Sequence, residues 1–201
     1  MCITYEVETG LYINMTNRCS NKCEFCIRNN GDGAYGSDSL WLEREPTVDE
    51  VLDSVFARDL GDYSEIVFCG YGEPTYRLSE MREVALRIKK KYPAMPIRVN
   101  TNGHADLING RNTAAEFKDA FDCVSISLNT PSAKRYDAIC HPRFGERSHS
   151  ALVDFASRVR EFVPSVAFSV VGDFLTAEEI DECYAIAKNA GVPLKVRKYI
   201  G

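Results

Sequence analysis

The sequence is poor in histidine, with three, and in tryptophan, with one, and it contains no long apolar run. A membrane-spanning helix needs about 20 consecutive apolar residues, so none is predicted. The first residues also lack the ordered charged, apolar and small-residue regions of a secretion signal. Neither charge dominates: 24 Lys and Arg stand against 29 Asp and Glu, and the formal net charge of −5 is spread along the chain. Electrostatics therefore give no case for a nucleic-acid or membrane partner. The run Lys89-Lys90-Lys91 falls at a predicted helix end, where cations suit the helix dipole. No repeat, linker or low-complexity stretch is visible, and 201 residues suit one domain with a substantial core. These absences predict one domain over residues 1–201, in the cytoplasm.

Cysteine is present in quantity. Eight cysteines without a secretion signal argue for a reducing interior and metal chemistry, not a disulfide framework. Three of them, Cys19, Cys23 and Cys26, form a C-x3-C-x2-C run with Phe25 before the last. Three thiolates on one loop are soft ligands that suit an iron–sulfur cluster or zinc. A closed zinc site wants a fourth ligand close by, yet the next cysteine is Cys69 and the first histidine is His104. Three ligands on a four-iron cluster would leave one iron open to bind something else. A zinc knuckle completed by a distant cysteine is the competing reading. The stretch from Arg28 to Ser39, rich in Gly, Asn and Asp, excludes a helix or a buried strand. Its start at the cysteine run favours a substrate-facing loop over a linker.

The rest of the chain alternates two periodicities. Ile3, Tyr5 and Val7 suggest a small extra strand, and Leu11 to Met15 a first core strand that leads into the cysteines. Apolar runs at Glu65–Cys69, Ile97–Asn100, Cys123–Leu128, Val166–Val171 and Leu194–Tyr199 give five more. Helical spacing follows Thr47 (Val48, Val51, Leu52, Val55, Phe56), covers Met81 to Ile88, and covers Ala151 to Phe162. It returns after Thr176, with Ile180, Cys183, Tyr184 and Ala187 inward. A weaker helix is expected over Thr113 to Ala120. Thr47…Glu50 and Thr176…Glu179 are capping-box patterns. Six strands alternating with helices imply an α/β fold with a parallel sheet, whose chemistry gathers at the strands' C-terminal ends. Polar residues cluster at those ends: Gly70-Tyr71-Gly72-Glu73-Pro74, then Asn100 to Gly103, then Ser125, Ser127 and Asn129. Such groups are poorly placed in a dry core unless they bond something; turn chemistry and helix capping are the bland alternative.

The cysteine spacing with its aromatic resembles the signature of the radical S-adenosylmethionine (SAM) superfamily. The resemblance implies a partial (β/α)6 barrel with parallel strands, a 4Fe-4S cluster on Cys19, Cys23 and Cys26, and SAM as co-substrate. It places Gly72 and Glu73 on the family's Gly-Gly-Glu motif, which binds the amino group of SAM's methionine part; Tyr71 replaces the first glycine. Ser127 and Asn129 would meet the SAM carboxylate or ribose, with Thr101 and Asn102 close by, and Gly172 would lie on the adenine side. At a finer level, Tyr12 to Arg28, Asn29 to Gly36, Leu40 to Thr47, Gly70 to Thr75 and Tyr136 to Glu146 resemble the TatD family-associated radical SAM proteins. That name implies a functional link to a TatD-like hydrolase and no particular substrate.

The implied chemistry is reductive cleavage of SAM, with an electron donor such as flavodoxin or ferredoxin, followed by hydrogen-atom abstraction from an unidentified substrate. A short barrel with no cap after the last strand favours a peptide or protein. The rival expectation is a non-catalytic iron–sulfur electron carrier or a zinc-stabilised interaction module, which would need no SAM pocket. Cys140, in Tyr136-Asp137-Ala138-Ile139-Cys140-His141-Pro142-Arg143, is a candidate catalytic hydrogen-atom donor on a loop expected to face the opening. Packing as a small buried hydrophobe is the alternative. Arg143 is a second candidate for contact with SAM.

Overall fold

The computed structural model describes residues 1–199. Its centre is one seven-stranded sheet in sequential order. The strands are β1 (Thr4–Val7), β2 (Gly10–Ile13), β3 (Glu65–Phe68), β4 (Ile97–Thr101), β5 (Cys123–Ser127), β6 (Ser165–Val171) and β7 (Leu194–Arg197). Strand β1 runs antiparallel to β2, and every later neighbour is parallel. Tyr5 and Val7 thus do belong to an added edge strand, while Ile3 lies just before its start. Strands β1 and β7 are the two ends of the sheet and do not pair with each other. The result is an α/β fold with an open, partial barrel.

The helices are α1 (Val48–Phe56), α2 (Leu78–Lys91), α3 (Ala105–Asn109), α4 (Ala133–Cys140), α5 (Arg147–Val159) and α6 (Ala177–Ala190). Both capping boxes form: Glu50 N donates to Thr47 Oγ1 while Thr47 N donates to the Glu50 carboxylate, and Thr176 and Glu179 repeat the pair. Each satisfies two amides that a helix start would otherwise leave open. The expected helix over Thr113 to Ala120 is only a 3-10 turn at Ala114–Phe117, preceded by the short α3. Helix α4, which the sequence pattern does not announce, is capped by Ser132, whose side chain accepts from Arg135 N. Tyr184 was expected inward on α6, but it is 49% exposed, and Cys183, Ala187 and Ala190 form the buried stripe.

One side of the sheet supplies the main core. Leu11, Ile13, Ile66, Phe68, Val99, Ile126 and Phe168 pack against Val51, Val55, Met81, Val84, Leu152 and Phe155 from the helices. The alternation of strand side chains turns Tyr12, Arg98, Asn100, Ser125, Ser127 and Ser169 to the other side. There Arg98 is held by Glu65 at 2.6 Å and donates to Tyr12 Oη at 3.2 Å. The loop after the cysteines packs there too: Ala34 and Leu40 join Tyr5 and Tyr71 in a second, smaller apolar cluster.

Candidate active site

The cysteine run leaves the C-terminal end of β2 on a path fixed by its own polar side chains. Asn14 Nδ2 donates to Leu40 O (2.7 Å), Thr16 Oγ1 to Glu45 Oε1 (2.6 Å), and Asn17 exchanges hydrogen bonds with both backbone groups of Leu42. Three backbone bonds then fasten it to the end of α4 and the turn beyond. Lys22 N donates to Cys140 O (2.9 Å), Glu24 N to Ile139 O (3.0 Å), and Arg143 N to Ser20 O (2.7 Å). Between these anchors Ser20 and Asn21 point inward and are buried. Asn102 Nδ2 donates to Ser20 Oγ (2.8 Å), which also bonds His104 Nδ1 (3.1 Å). Asn21 Nδ2 donates to Tyr136 Oη (2.8 Å), which lies 3.4 Å from His104 Nε2. Burial holds His104 down to about 4, so it stays a neutral link in this network.

A cavity of about 250 Å3 opens at the strand ends. Cys19, Cys23 and Cys26 line it, together with Asn102, Ser127 and Asn129 from the ends of β4 and β5. Burial, with a smaller push from the Glu73 charge, raises the Cys19 thiol to about 12. A hydrogen bond with the Cys140 thiol, then burial, raises Cys23, and burial raises Cys26. These are protonated thiols that a metal would have to deprotonate on binding. Among the described residues no three His, Cys, Asp or Glu side chains converge tightly enough for a single metal ion. The donor set, three thiols on one loop that line one cavity, fits a cluster, whose thiolate ligands sit on separate irons.

The other expected site residues divide. Ser127, Asn102 and Asn129 line the cavity; Glu73, Gly72, Thr101 and Gly172 do not. Glu73 is buried beneath it. Its Oε1 accepts from Thr75 N (3.1 Å), Thr75 Oγ1 (2.7 Å) and Thr101 Oγ1 (2.7 Å), and its Oε2 accepts from Asn102 N (2.6 Å). Burial nonetheless raises its carboxyl above the usual range. Gly72 lets the turn after β3 slide under the cysteine loop: a Cβ there would overlap the carbonyl oxygens of Thr16 and Arg18. Gly172 opens a 3-10 turn after β6, next to the lining residue Val171.

Cys140 does not sit on a loop facing the opening. It is the last residue of α4 and fully buried, because its helix turns it inward against the cysteine loop. The Arg143 side chain is exposed and does not line the cavity; only its backbone serves the loop. Ser169 and Arg197 line the cavity without having been singled out in the sequence. Arg197 Nη2 donates to Ser125 Oγ at 2.8 Å. A serine inside the apolar run of β6, directly opposite Ser127 in the pairing, was the available signal. The buried Asn21, Tyr136 and His104 had none, because their partners lie far away in the chain.

An open parallel α/β barrel with a thiol-lined cavity at its strand ends defines the general class. Residues 13–187 match the radical SAM superfamily. The chain belongs to the radical SAM superfamily of enzymes, whose members in general use SAM and a 4Fe-4S cluster. No curated protein matches. Among solved structures, SuiB of Streptococcus suis, bound to precursor peptide SuiA, is similar with a TM-score of 0.65 and 17% identity over 96% of this chain and 39% of its own. HydG, a maturase of the [FeFe]-hydrogenase, gives a TM-score of 0.68 at 14% identity, covering 96% and 43% of the two chains. A radical SAM methyltransferase from Sphaerobacter thermophilus gives 0.61 at 17%, covering 98% and 69%. At these identities the likeness carries the fold. The chain spans less than half the length of SuiB and of HydG.

Proposed function

We propose that this chain cleaves SAM reductively on a 4Fe-4S cluster and abstracts a hydrogen atom from a peptide or protein substrate. The observation that carries the reading is the single cavity shared by the three thiols of the cysteine loop and the polar ends of β4 and β5. When bound, the cluster supplies the electron that splits SAM into methionine and a 5′-deoxyadenosyl radical. Cys19, Cys23 and Cys26 hold it. Ser127 and Asn129 present a hydroxyl and an amide to SAM's polar groups, with Asn102 between them and the cysteines. In this reading Glu73 and Thr101 act through Asn102: Glu73 Oε2 fixes the Asn102 amide, and Thr101 Oγ1 fixes Glu73. Gly72 and Gly172 supply close backbone approach.

The unpaired outer strands support an extended substrate, as does the similarity to SuiB, a protein solved with a precursor peptide. The family match over 13–187 and the continuous sheet support treating 1–201 as one core domain. Among the described residues no helix is long and apolar enough to cross a membrane. All eight cysteines are free, which suits a reducing compartment, and the cytoplasm is the proposed location. A flavodoxin- or ferredoxin-like electron donor and a TatD-like hydrolase remain part of the proposal, the second resting on the segments that resemble the TatD-associated branch.

The test is anaerobic reconstitution with iron and sulfide, followed by dithionite and SAM. Four irons per chain and formation of 5′-deoxyadenosine are expected. Replacing Cys19, Cys23 or Cys26 by Ala should remove both while the far-ultraviolet circular dichroism stays native, because the loop sits at the strand ends and of the three only Cys23 touches the main core, at its margin. A colourless zinc protein that yields no 5′-deoxyadenosine would overturn the reading in favour of an interaction module.

A further inference from the structure

We infer that Cys140 is a positioning residue for the cluster: its thiol donates a hydrogen bond to the sulfur of Cys23 and raises the cluster's reduction potential. The inference rests on the proposed cluster reading and adds a role the cysteine motif does not contain.

Two backbone bonds flank the contact. Lys22 N and Glu24 N, the amides on either side of Cys23, donate to Cys140 O and Ile139 O at 2.9 and 3.0 Å. They hold the loop against the last turn of α4, where Cys23 packs on the core cluster that contains Cys140. The Cys23 side chain thus lies beside the buried Cys140 thiol, which helps to push the Cys23 thiol's pKa up. The direction of the inferred bond is set from behind. Asn129 Nδ2 donates to Cys140 Sγ at 3.4 Å, so the Cys140 sulfur is already an acceptor and its own S–H is left to point at Cys23. Once Cys23 is a thiolate on iron it has no proton to give, and Cys140 can only donate. Hydrogen bonds to cluster sulfurs stabilise the more negative, reduced state and so move the potential upward. Cys140 is fully buried, so water does not replace that bond when the thiol is removed. The chain Asn129–Cys140–Cys23 also links a cavity-lining amide to a cluster ligand, so whatever occupies the cavity beside Asn129 is felt at Cys23.

The test uses the reconstituted protein and its Cys140→Ala and Cys140→Ser variants. Iron content and the midpoint potential from an electron paramagnetic resonance redox titration are measured for each. All three should hold four irons. Cys140→Ala should titrate at a more negative potential than the wild type, and Cys140→Ser should recover most of the difference, since a hydroxyl donates to the same sulfur. If Cys140→Ala fails to assemble a cluster, Cys140→Val, which fills the space without a donor, takes its place. An unchanged midpoint in the donor-free variant, or a serine variant shifted as far as alanine, would overturn the inference. A metal-free arm separates this from failure of the cluster reading itself. Diamide, a diazene dicarboxamide, takes two electrons and two protons from adjacent thiols, leaving a disulfide and the hydrazine. Peptide mapping of oxidised metal-free protein should find Cys23 joined to Cys140. Cross-links confined to Cys19, Cys23 and Cys26 would remove the contact on which the inference stands, whether or not the protein binds a cluster.

Discussion

Glu73 is buried and held by four donors, from Thr75, Thr101 and the Asn102 amide. A carboxylate so placed is an acceptor hub: it stabilises the turn after β3 and fixes the end of β4 at the same time. Glutamine keeps the size but turns an NH2 group toward donors. With its oxygen at the site of Oε1, the nitrogen faces Asn102 N, and neither can accept. Glu73→Gln should therefore cost about 1–3 kcal/mol of stability, the usual penalty for an unsatisfied buried group. It should also weaken SAM binding, because Asn102 both lines the cavity and ties down Ser20. Urea unfolding and SAM titration measure the two effects. An unchanged unfolding midpoint would show that the four bonds add nothing net.

At the level of elements, the cysteine loop is gripped from two sides. Helix α4 holds it through backbone bonds, and the turn after β3 passes beneath it, with Glu73 N donating to Arg18 O at 2.8 Å. That second grip requires glycine at 72, because any side chain would meet the backbone of Thr16 and Arg18 instead of a movable group. Gly72→Ala should push the loop off its seat, at a cost of about 1–3 kcal/mol typical of overpacking, and should lower iron content after reconstitution. Gly31→Ala is the control: it lies on the neighbouring loop with open space around it, and should change neither melting temperature nor iron content. Equal iron content in the two variants would remove the turn from cluster positioning.

For the whole molecule, the network behind the loop joins the ends of β2 and β4 to α4, and His104 is its centre. Its pKa falls from 6.5 unfolded to about 4 folded because burial disfavours the charged ring. Between those values the unfolded chain binds a proton that the folded chain refuses, so stability drops as pH falls through this window and is unaffected above it. The full difference amounts to about 3 kcal/mol by the usual conversion of pKa to free energy. His149, also depressed by burial, acts in the same direction. Urea midpoints measured from pH 7.5 to 4 should fall below about pH 6.5, and His104→Gln should flatten the fall. A variant curve parallel to the wild type would assign the acid sensitivity elsewhere.

What the sequence determined alone is what depends on near neighbours in the chain. Alternation in the strands, apolar spacing in α1, α2 and α5, the two capping boxes and the C-x3-C-x2-C run of Cys19, Cys23 and Cys26 are all local patterns, and each is legible within a few residues. Helix α4 escaped because the segment from Ala133 to Cys140 is short and shows little apolar periodicity; only Tyr136 and Cys140 are buried in it. Tyr184 shows the same limit from the other side, since spacing puts it near the inner stripe and only packing turns it out. The tertiary structure alone decided that Glu73 faces donors and not the cavity, that Cys140 faces Cys23 and not solvent, and that Ser169 and Arg197 join the site. The physical reason is separation along the chain. Asn21 and Tyr136 are 115 residues apart, so their contact exists only once the register of six parallel strands has brought the strand ends together.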